Sequence, residues 1–406
     1  NMKKMKILFV NFSIGGYAGD AAQMITIVKG LNDKDHEVVI ATTDGDGYFY
    51  DKAKSKMYAP IRKKLLEANG KIIKIDGMSV YPIHCLSSRF GMYCPSAAKE
   101  ARKIIKKFDV VYVINWYYHL GMVFAKISHE LKIPLIVGPM ASLEDVARSI
   151  KKRQKLIADR MYTNNMLKNS NGFHCVGNQE KESLVKLGVD PNKIQVINNA
   201  IMVDDKKNIK KTEIFKKINL SRNKDPFLIT IGRIDPKKGL ELLLLTFSKL
   251  LKKYKNLILV IVGTGNKQYV KTIKHLVDEL NIQDSVKFTG YVTEAEKIEL
   301  LSSARLFVGT SQSDIHTTTA IEALAIGKPV VITKNSDFPE IDDYQAGITV
   351  ESTHESIFNA ISELLDNETK IQKFSDNAKR LVEEKFLLEN QIEKYENMFS
   401  KVITKK

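Results

Sequence analysis

Three cations and two glycines follow an apolar strand pattern in the second half of the chain. The run reads Gly232-Arg233-Ile234-Asp235-Pro236-Lys237-Lys238-Gly239 and comes directly after the strand pattern of residues 227–231. Arg233 and Lys238 are five positions apart, and Gly239 opens the next helical pattern. Fixed cations beside the N–H groups of a helix N-terminus bind diphosphate groups well. Charge alone would also fit a solvated basic turn, but the residues farther along the chain favour an anion site.

Hydroxyl and carboxylate side chains are concentrated in residues 311–331. Asp314 lies in the loop after the strand pattern of residues 306–308, and the threonines at 317–319 precede a helical pattern. Threonine oxygens can cap that helix, and its first backbone N–H groups can bind phosphate oxygens. Glu322 stands one turn into the helix among Ala, Leu and Ile neighbours. We therefore expect its carboxylate to point into the site and to accept hydrogen bonds from ribose hydroxyls.

A glycine-rich turn, Gly15-Gly16-Tyr17-Ala18-Gly19, joins the first strand pattern to a helical pattern. Such a turn lets the backbone approach a phosphate or a sugar closely, and we expect Ala18 and Gly19 to do so. A glycine turn that binds nothing is the alternative. Two weaker candidates, Gly263-Thr264-Gly265 and Tyr291-Val292, also follow strand patterns, where an ordinary turn is the simpler interpretation.

The elements that would position these residues alternate between strand and helix. Apolar, β-branched runs such as residues 38–41, 72–75 and 110–114 are separated by helical patterns, and the cycle restarts at residue 227. This alternation is typical of a parallel sheet covered by helices on both faces. We predict an α/β chain of two doubly wound domains, residues 1–200 and 201–384, facing a central cleft where ligands bind. The helical tail at about 385–406 is expected to pack back on the first domain.

The two motifs resemble those of the GT-B retaining glycosyltransferases of family four, the glycosyltransferase group 1 type. Members of that family carry G-R-x4-K-G after a strand, then E-x7-E followed by A-x3-G-x-P-V. This chain has Asp314 and Glu322 at the two carboxylate positions and matches the last pattern at residues 323–330. The resemblance covers nearly the whole chain and is most specific in the second half. It implies the GT-B fold of two Rossmann-like domains and transfer of a sugar from a nucleoside-diphosphate sugar.

The resemblance also implies a role for each matching residue. Arg233 and Lys238 would neutralise the donor diphosphate, Glu322 would bind the ribose, and Asp314 would contact sugar hydroxyls. The backbone of residues 316–317 would face the sugar. The expected donor-binding residues are Ala18, Gly19, Gly263, Gly265, Tyr291, Val292, His316, Thr317, Thr318, Thr319 and Glu322, and the expected catalytic residues are Arg233, Lys238, Asp314 and His119.

Two departures from the family pattern concern the sugar and its acceptor. Ile315-His316-Thr317 replaces the usual Gly-Phe-Gly, which should narrow or reshape the donor pocket. Met140 stands where the family has a histidine, and a thioether neither exchanges a proton nor donates a hydrogen bond. His119 is the nearest substitute, with a helix-surface histidine of no special role as the alternative. The run Trp116-Tyr117-Tyr118 would either line the acceptor or pack in the core.

The basic composition favours anionic partners. The chain of 406 residues has 63 Lys+Arg against 47 Asp+Glu, a formal net charge of +16. One helical pattern interleaves cations with apolar residues, which suits either the surface of an anionic membrane or an ordinary solvated face. Its cations are Arg148, Lys151, Lys152, Arg153, Lys155, Arg160 and Lys168. No recognised nucleic-acid-binding motif appears, so we expect no nucleic-acid partner.

The sequence also indicates where the protein works. We expect no membrane span, because no apolar run reaches about 18 residues. We also expect no signal peptide, because the first residues lack a long apolar core and a small-residue cleavage site. Three cysteines are too few and too scattered for a disulfide framework or a zinc site, which favours a reducing compartment. We expect a cytoplasmic protein that associates with the inner face of the membrane. Since no cluster has metal-ligand spacing, we expect no metal ion and no cofactor besides the donor substrate.

Three hypotheses follow from these patterns. The leading one is retaining, metal-independent glycosyl transfer to an acceptor, either lipid-linked or a surface-glycan precursor. Met140 and the missing glycines leave a second, in which a catalytically weak homologue binds nucleotide or a partner enzyme. The third is a nucleotide-sugar epimerase on the same architecture, which would need acidic or histidine residues around the anomeric carbon that the patterns do not provide.

Overall fold

The structure is a computed structural model that describes residues 3–15, 19–45, 52–68, 70–86, 92–140, 142–143, 152–202, 211–221 and 225–404. The chain divides into two units, one formed by Asn1–Ala200 with Leu388–Lys406 and the other by Ile201–Leu387. Among the described residues, no helix combines the length and the apolar character needed to cross a membrane.

A sheet of eight strands forms the centre of the first unit. Its strand order is β3-β4-β2-β1-β5-β6-β7-β8, and every neighbouring pair is parallel except β3 and β4. Ile7 and Phe9 belong to the apolar cluster on one face, and Leu8 and Val10 belong to the cluster on the other. Because successive strand residues point to opposite faces, both faces must be covered. The strands are β1 Lys6–Val10, β2 Glu37–Thr43, β3 Ile73–Ile75, β4 Met78–Ile83, β5 Val110–Ile114, β6 Leu135–Gly138, β7 Gly172–Cys175 and β8 Ile194–Val196.

Helices on both faces provide that cover. A π-helical turn, Asp159–Thr163, lies between the helices Lys152–Ala158 and Asn164–Asn169. The helices of this part of the chain are α1 Gly19–Asp33, α2 Lys52–Glu67, α3 Ala97–Ile104, α4 His119–Glu130, α5 Lys152–Ala158, α6 Asn164–Asn169 and α7 Asn178–Lys186.

The edge of the first sheet differs from the predicted pattern. The apolar run at residues 72–75 does not provide the third parallel strand, because β3 pairs antiparallel with β4, and β4 is the strand beside β2. Asp76 and Gly77 connect β3 to β4 with φ angles of 49° and 82°. Two consecutive positive φ angles are typical of a type I′ hairpin, for which Asp-Gly is a preferred sequence. That dipeptide was the signal for the extra strand.

The second unit contains a fully parallel sheet with the order β11-β10-β9-β12-β13-β14. Renumbered within the unit this is 3-2-1-4-5-6, the doubly wound order of dinucleotide-binding domains. The prediction of an α/β protein with two Rossmann-like parallel sheets is therefore confirmed. The strands are β9 Phe227–Ile231, β10 Ile258–Val262, β11 Val286–Gly290, β12 Leu306–Gly309, β13 Val330–Thr333 and β14 Gly347–Val350.

The helices of the second unit also cover both faces of its sheet. Phe227 and Ile229 of β9 pack into one apolar cluster and Leu228 packs into the other. The same alternation as in β1 therefore gives the same layered architecture. The helices are α8 Ile214–Lys217, α9 Leu240–Lys253, α10 Lys267–Glu279, α11 Glu294–Ser303, α12 Thr318–Ala325, α13 Glu340–Asp343, α14 His354–Leu365 and α15 Glu368–Lys385.

The last helix, α16 Leu388–Ile403, belongs to the first unit. Phe399 is fully buried there, with its ring centroid 6.2 Å from that of Phe9. One turn before Phe399, Oε1 of Glu396 lies 2.8 Å from Nε2 of His36, and both side chains are almost completely buried. Burial of an aromatic side chain together with a paired polar contact holds the helix against α1 and the first sheet.

Candidate active site

A pocket lies at the carboxyl ends of β9 and β12 in the second unit. The sheet extends through β10 and β11 on one side and through β13 and β14 on the other. Connections that leave such a switch point run to opposite faces of the sheet and open a crevice for ligands. The residues around it include Thr230, Gly232, Arg233, Lys238, Gly309, Thr310, Ser311, Thr317, Thr319 and Ser336. The structure thus brings four predicted residues to one pocket: Arg233, Lys238, Thr317 and Thr319.

The turn after β9 is fixed by hydrogen bonds at both ends. Asp235 caps it, because its Oδ1 accepts from the backbone N–H of Lys237 at 3.1 Å. Gly239 adopts a left-handed conformation with φ 60°, and a Cβ there would lie 2.1 Å from the carbonyl oxygen of Thr310. Oγ1 of Thr310 lies 3.1 Å from the carbonyl oxygen of Lys238 and 2.9 Å from that of Gly239. The position of Lys238 is therefore set by a close approach of two loops.

Lys238 forms an ion pair with Asp314. The same carboxylate lies 3.2 Å from Oγ of Ser311 and accepts from the backbone N–H of Ile315 at 3.2 Å. The Lys238 and Asp314 side chains are 29% and 22% exposed, so the pair is partly shielded from water. Arg233 differs, with a side chain that is 70% exposed and Nε 3.8 Å from Oδ2 of Asp235. Such an exposed cation is held weakly and can turn toward an incoming anion.

Glu322 has a partner that the sequence analysis missed. Lys297, on α11, places its Nζ 2.8 Å from Oε1 of Glu322 and 2.7 Å from Oε2 of Glu294. Burial alone would lower the pKa of Lys297, but the carboxylates of Glu322 and Glu294 raise the pKa above its ordinary value. Lys297 is therefore a charged, mostly buried side chain. Nothing in the sequence linked this lysine to Glu322, which lies 25 positions farther along the chain.

His316 turns away from the pocket into the core. Its Nε2 lies 3.0 Å from Oε2 of Glu340, and its ring centroid lies 4.6 Å from that of Phe338. Burial would raise the pKa of Glu340, but the contact with His316 lowers it. The backbone N–H of His316 donates to the carbonyl oxygen of Ser336 at 3.1 Å. Because the N–H of His316 is used in this way, the backbone group of His316 that could still contact a sugar is its carbonyl oxygen.

The threonine run begins α12 as predicted, but its side chains do not all cap the helix. Thr317 is the N-cap residue and makes no side-chain capping hydrogen bond. Thr318 and Thr319 are the first two helical residues, whose N–H groups have no acceptor within an α-helix. Oγ1 of Thr319 donates to the carbonyl oxygen of Ile231 at 3.3 Å, which ties the helix start to the end of β9.

The two glycines after β10 support the turn that carries the cations. A Cβ at Gly263 would lie 1.8 Å from the carbonyl oxygen of Gly232, and one at Gly265 would lie 1.9 Å from that of Ile234. The N–H of Ile234 also donates to the carbonyl oxygen of Thr264 at 2.8 Å. These glycines therefore let the loop after β10 lie directly against the turn after β9, whatever contact they make with a ligand.

The loop after β11 contains Tyr291 and Val292, the remaining predicted donor-binding residues of this unit. The N–H of Gly263 donates to the carbonyl oxygen of Gly290 at 3.0 Å, so this loop is tied to the loop after β10. Tyr291 and Val292 follow and are partly exposed, and Val292 packs against an apolar cluster of the unit. Both residues therefore lie at the same edge of the sheet as the pocket.

The corresponding edge of the first unit carries His119 at the start of α4. Nδ1 of His119 accepts from the backbone N–H of Cys94 at 3.3 Å, and the ring centroid lies 4.6 Å from that of Tyr93. Burial lowers the pKa of His119, which favours the neutral imidazole. Since Nδ1 accepts, Nε2 carries the ring proton. Gly19 begins α1, whereas Ala18 lies outside the described residues.

The aromatic residues before His119 have three different environments. Trp116 is buried and donates to Oγ1 of Thr163 at 3.0 Å, so it packs in the core and does not form a wall for the acceptor. Tyr118 stacks on Phe12 with ring centroids 3.9 Å apart. Tyr117 donates to Oδ1 of Asp159 at 3.0 Å. The alternative of core packing is therefore correct for Trp116.

Among the described residues, uncharged side chains follow the carboxyl ends of β1, β5 and β6. Nδ2 of Asn115 donates to Oδ1 of Asn11 at 3.1 Å across the switch point between β1 and β5. Asn115 and Met140 both have positive φ angles, 72° and 52°. Left-handed backbone at non-glycine residues is strained, and such residues are concentrated at functional sites.

Two family models match almost the whole chain between them. The glycosyl transferases group 1 model matches residues 211–381, and the Glycosyltransferase Family 4 model matches residues 19–205. The chain belongs to the group 1 glycosyltransferases of the GT-B fold. This confirms the resemblance drawn from the two motifs of the second unit, and the protein is a glycosyltransferase.

The glycosyltransferase is similar to proteins whose names include the lipid diacylglycerol. It is 26% identical over 336 residues to the alpha-monoglucosyldiacylglycerol synthase of Streptococcus pneumoniae, covering 80% of this chain and 70% of that protein. It is 27% identical over 221 residues to the processive diacylglycerol beta-glucosyltransferase of Bacillus pumilus, covering 52% and 54%. Among solved structures, Anabaena Alr3699/HepE in complex with UDP and glucose aligns with a TM-score of 0.74 and 17% identity, covering 98% of this chain and 100% of that one. At that identity the structural likeness shows the fold alone.

The close approach at Gly239 predicts that Gly239→Ala damages the glycosyltransferase more than left-handed strain alone. Gly188→Ala is the matched control, because Gly188 has φ 86° and nothing within 4 Å of the added Cβ. We expect the control to cost about 1–2 kcal/mol of unfolding free energy, the ordinary penalty for a left-handed L-residue. Gly239→Ala should cost more and weaken nucleoside-diphosphate binding by about 10-fold or more, since a displaced Lys238 loses its geometry. Urea unfolding and titration calorimetry measure both effects, and equal behaviour of the two variants would contradict the prediction.

Proposed function

We propose that this glycosyltransferase moves a sugar from a nucleoside-diphosphate sugar to a lipid-linked acceptor or surface-glycan precursor, with retention of anomeric configuration and without a metal ion. The observation that carries the proposal is the joint lining of one switch-point pocket by Arg233, Lys238 and the start of α12. Two cations and helix N-terminal amides are a suitable environment for a departing diphosphate.

The diphosphate takes the place of Asp314 on Lys238 in this proposal. In the free protein Asp314 neutralises the ammonium, and Arg233 is mostly exposed. An arriving diphosphate offers more negative charge and several acceptor oxygens, so Lys238 exchanges one anionic partner for a stronger one. Asp314 is then released to accept hydrogen bonds from sugar hydroxyls. Because the protein cations balance the leaving-group charge, the reaction needs no metal ion.

The remaining donor contacts are assigned to the loops around the same sheet edge. Glu322 accepts from the ribose hydroxyls, the backbone at Tyr291 and Val292 faces the nucleobase, and the first amides of α12 contact phosphate oxygens. Ala18 and Gly19 are assigned to the donor from the first unit. Arg233 and Lys238 are thereby assigned to the diphosphate, which suits a reaction whose charge develops on the leaving group.

Retention follows from attack on the face from which the diphosphate leaves, and the accompanying proton transfer needs no protein base. The acceptor oxygen attacks the anomeric carbon on the face from which the diphosphate leaves; the old C–O bond breaks as the new one forms. The acceptor proton passes to the leaving phosphate oxygen. Met140 exchanges no proton, and His119 already uses Nδ1 to accept from Cys94. His119 therefore serves the acceptor as a hydrogen-bond donor through Nε2 rather than as a base.

An amphipathic surface on the first unit supports a lipid-linked acceptor. Leu156, Ile157 and Met161 are 55%, 63% and 60% exposed, which is unusual for three large apolar side chains so close in sequence. Arg160 and Lys168 on the same segment are exposed as well. Exposed apolar residues beside cations bind anionic membrane surfaces. We name Leu156, Ile157, Arg160 and Met161 the apolar–basic patch.

The opposite side of this segment is anchored to the loop before His119. Oδ1 of Asp159 accepts from Tyr117, Oγ1 of Thr163 accepts from Trp116, and Nζ of Lys155 lies 4.8 Å from the ring centroid of Tyr117. A membrane bound at the apolar–basic patch would therefore be separated from the loop before His119 by this one segment. The names of the similar proteins, which include diacylglycerol, favour the same class of acceptor. A cytoplasmic protein at the inner face of the membrane would meet both the donor and such a lipid.

The proposal is tested by incubating the protein with UDP-, GDP- and ADP-sugars, with and without lipid acceptors. We expect nucleoside diphosphate to be released only when the acceptor is present, in EDTA as in magnesium, and NMR to find the donor's anomeric configuration in the product. Lys238→Met should weaken diphosphate binding by about 10–100-fold, because it removes a charged hydrogen-bond donor. Lys253→Met is the control. Lys253, the last residue of α9, pairs with Asp366, which follows α14. Binding without turnover, or sugar interconversion without transfer, would replace this function by one of the two alternatives.

The exchange of partners at Lys238 predicts opposite effects of Asp314→Asn on binding and turnover. Removing the competing carboxylate should tighten binding of the free nucleoside diphosphate by about 2–5-fold, the range of a partly exposed ion pair. Transfer should fall by about 100-fold, because the contact with the sugar is lost. Calorimetry and initial rates measure the two effects, and Asp366→Asn, which breaks a more exposed Lys–Asp pair, should change neither. Weaker diphosphate binding in Asp314→Asn would refute the exchange.

The apolar–basic patch predicts membrane binding that depends on Leu156 and Ile157. The double variant Leu156→Gln/Ile157→Gln should bind vesicles of phosphatidylglycerol and phosphatidylcholine at least about 10-fold more weakly, because exposed leucine and isoleucine each contribute about 1.5–3 kcal/mol when buried. Val185→Gln, at another exposed apolar residue of the first unit, is the control. Vesicle co-sedimentation measures binding. Equal sedimentation of the double variant and the wild type would remove the patch from the proposal.

A further inference from the structure

Lys297 occupies a fixed position near the edge of the second sheet. It lies one turn into α11, whose start is fixed by a capping box: Oγ1 of Thr293 accepts from the N–H of Glu296 at 3.3 Å, and Oε2 of Glu296 accepts from the N–H of Thr293 at 2.7 Å. The helix follows β11 directly, so its first turn lies at the carboxyl edge of the sheet. A doubly satisfied helix start limits the movement of the residues of the first turn.

The two carboxylates around Lys297 have different exposure. Glu294 is 65% exposed, whereas Glu322 is 16% exposed and belongs to α12, the helix whose start lines the pocket. The Lys297 side chain is 17% exposed. An exposed carboxylate is solvated by water with or without a lysine, but a mostly buried one needs a charged partner to remain ionised and oriented. Of the two carboxylates, Glu322 is therefore the one whose charge and orientation depend on Lys297.

We propose that Lys297 is a positioning residue for recognition of the donor ribose, because its ammonium holds Oε1 of Glu322 and so orients the carboxylate toward the ribose hydroxyls. The inference rests on the proposed role of Glu322. An ionised carboxylate accepts from both neighbouring hydroxyls, whereas a protonated or rotated one does not. Without Lys297 the Glu322 side chain loses its charged partner at 2.8 Å, and the energy of ribose recognition falls.

The test compares a nucleoside diphosphate with its 2′,3′-dideoxy analogue. The probe is the best binder among UDP, GDP and ADP, and the quantity is the ratio of the two dissociation constants for each variant. We expect the wild type to prefer the hydroxylated ligand by about 10–100-fold, the range for hydrogen bonds to a charged group. Lys297→Met should lower the preference to within about 3-fold of unity by weakening only the hydroxylated ligand. A purely structural role would weaken both ligands equally and leave the ratio unchanged.

Three further variants separate the inference from its premise. Lys297→Arg keeps the charge and should restore most of the preference, and Glu294→Gln, at the exposed partner, should leave it unchanged. Lys297→Gln is a second substitution to use if the Met variant does not fold. If Glu322→Gln abolishes the preference and neither Lys297→Met nor Lys297→Gln lowers it, the positioning role is wrong and the proposed function stands. If Glu322→Gln keeps the full preference, or if no nucleoside diphosphate binds, the ribose assignment fails and the inference fails with it.

Discussion

The candidate site depends on how closely three backbone segments approach one another at the switch point of the second sheet. The loops after β9, β10 and β12 meet where a Cβ on Gly239, Gly263 or Gly265 would lie within 2.1 Å of a carbonyl oxygen of a neighbouring loop. Only glycine allows this separation. The approach lets Thr310 bind the carbonyl oxygens of Lys238 and Gly239, and so it fixes the backbone from which the flexible Lys238 side chain extends beside the pocket.

A second constraint concerns charge. A partly buried lysine in or near the donor site must be stabilised before the donor arrives, since an unpaired buried charge is costly. The second unit meets this need twice in the same way. Lys238 is paired with Asp314, and Lys297 is paired with Glu322. In each pair the carboxylate is also the group proposed to contact the donor, so neutralising a lysine and orienting an acceptor for sugar hydroxyls are performed by one contact.

The sequence predicted the parts of the fold and the site that depend on local pattern. Alternating apolar strands and helices indicated both sheets, and the spacing of Arg233, Lys238 and the threonine run indicated the pocket. It failed where a long-range contact decides the outcome. Lys297 of α11 pairs with Glu322 of α12 across 25 positions of the chain, and the His316 side chain packs beside Phe338 and contacts Glu340, far along the chain from the pattern that predicted it. The β3–β4 hairpin was a different failure, since Asp76-Gly77 was a local signal that the apolar run at residues 72–75 obscured.

The two units differ in the kind of side chain that they place at their switch points, and this difference bears on the proposed proton path. In the second unit the described switch-point loops carry Arg233, Lys238 and Asp314, whereas Asn11, Asn115 and Met140 follow the strands of the first. A general base needs an accessible lone pair and a pKa near the working pH. The side chains of asparagine and methionine do not take up a proton near the working pH, and the Nδ1 lone pair of His119 already accepts from the N–H of Cys94. None of these described first-unit side chains therefore offers a suitable base, which is consistent with the proposed transfer of the acceptor proton to the leaving phosphate.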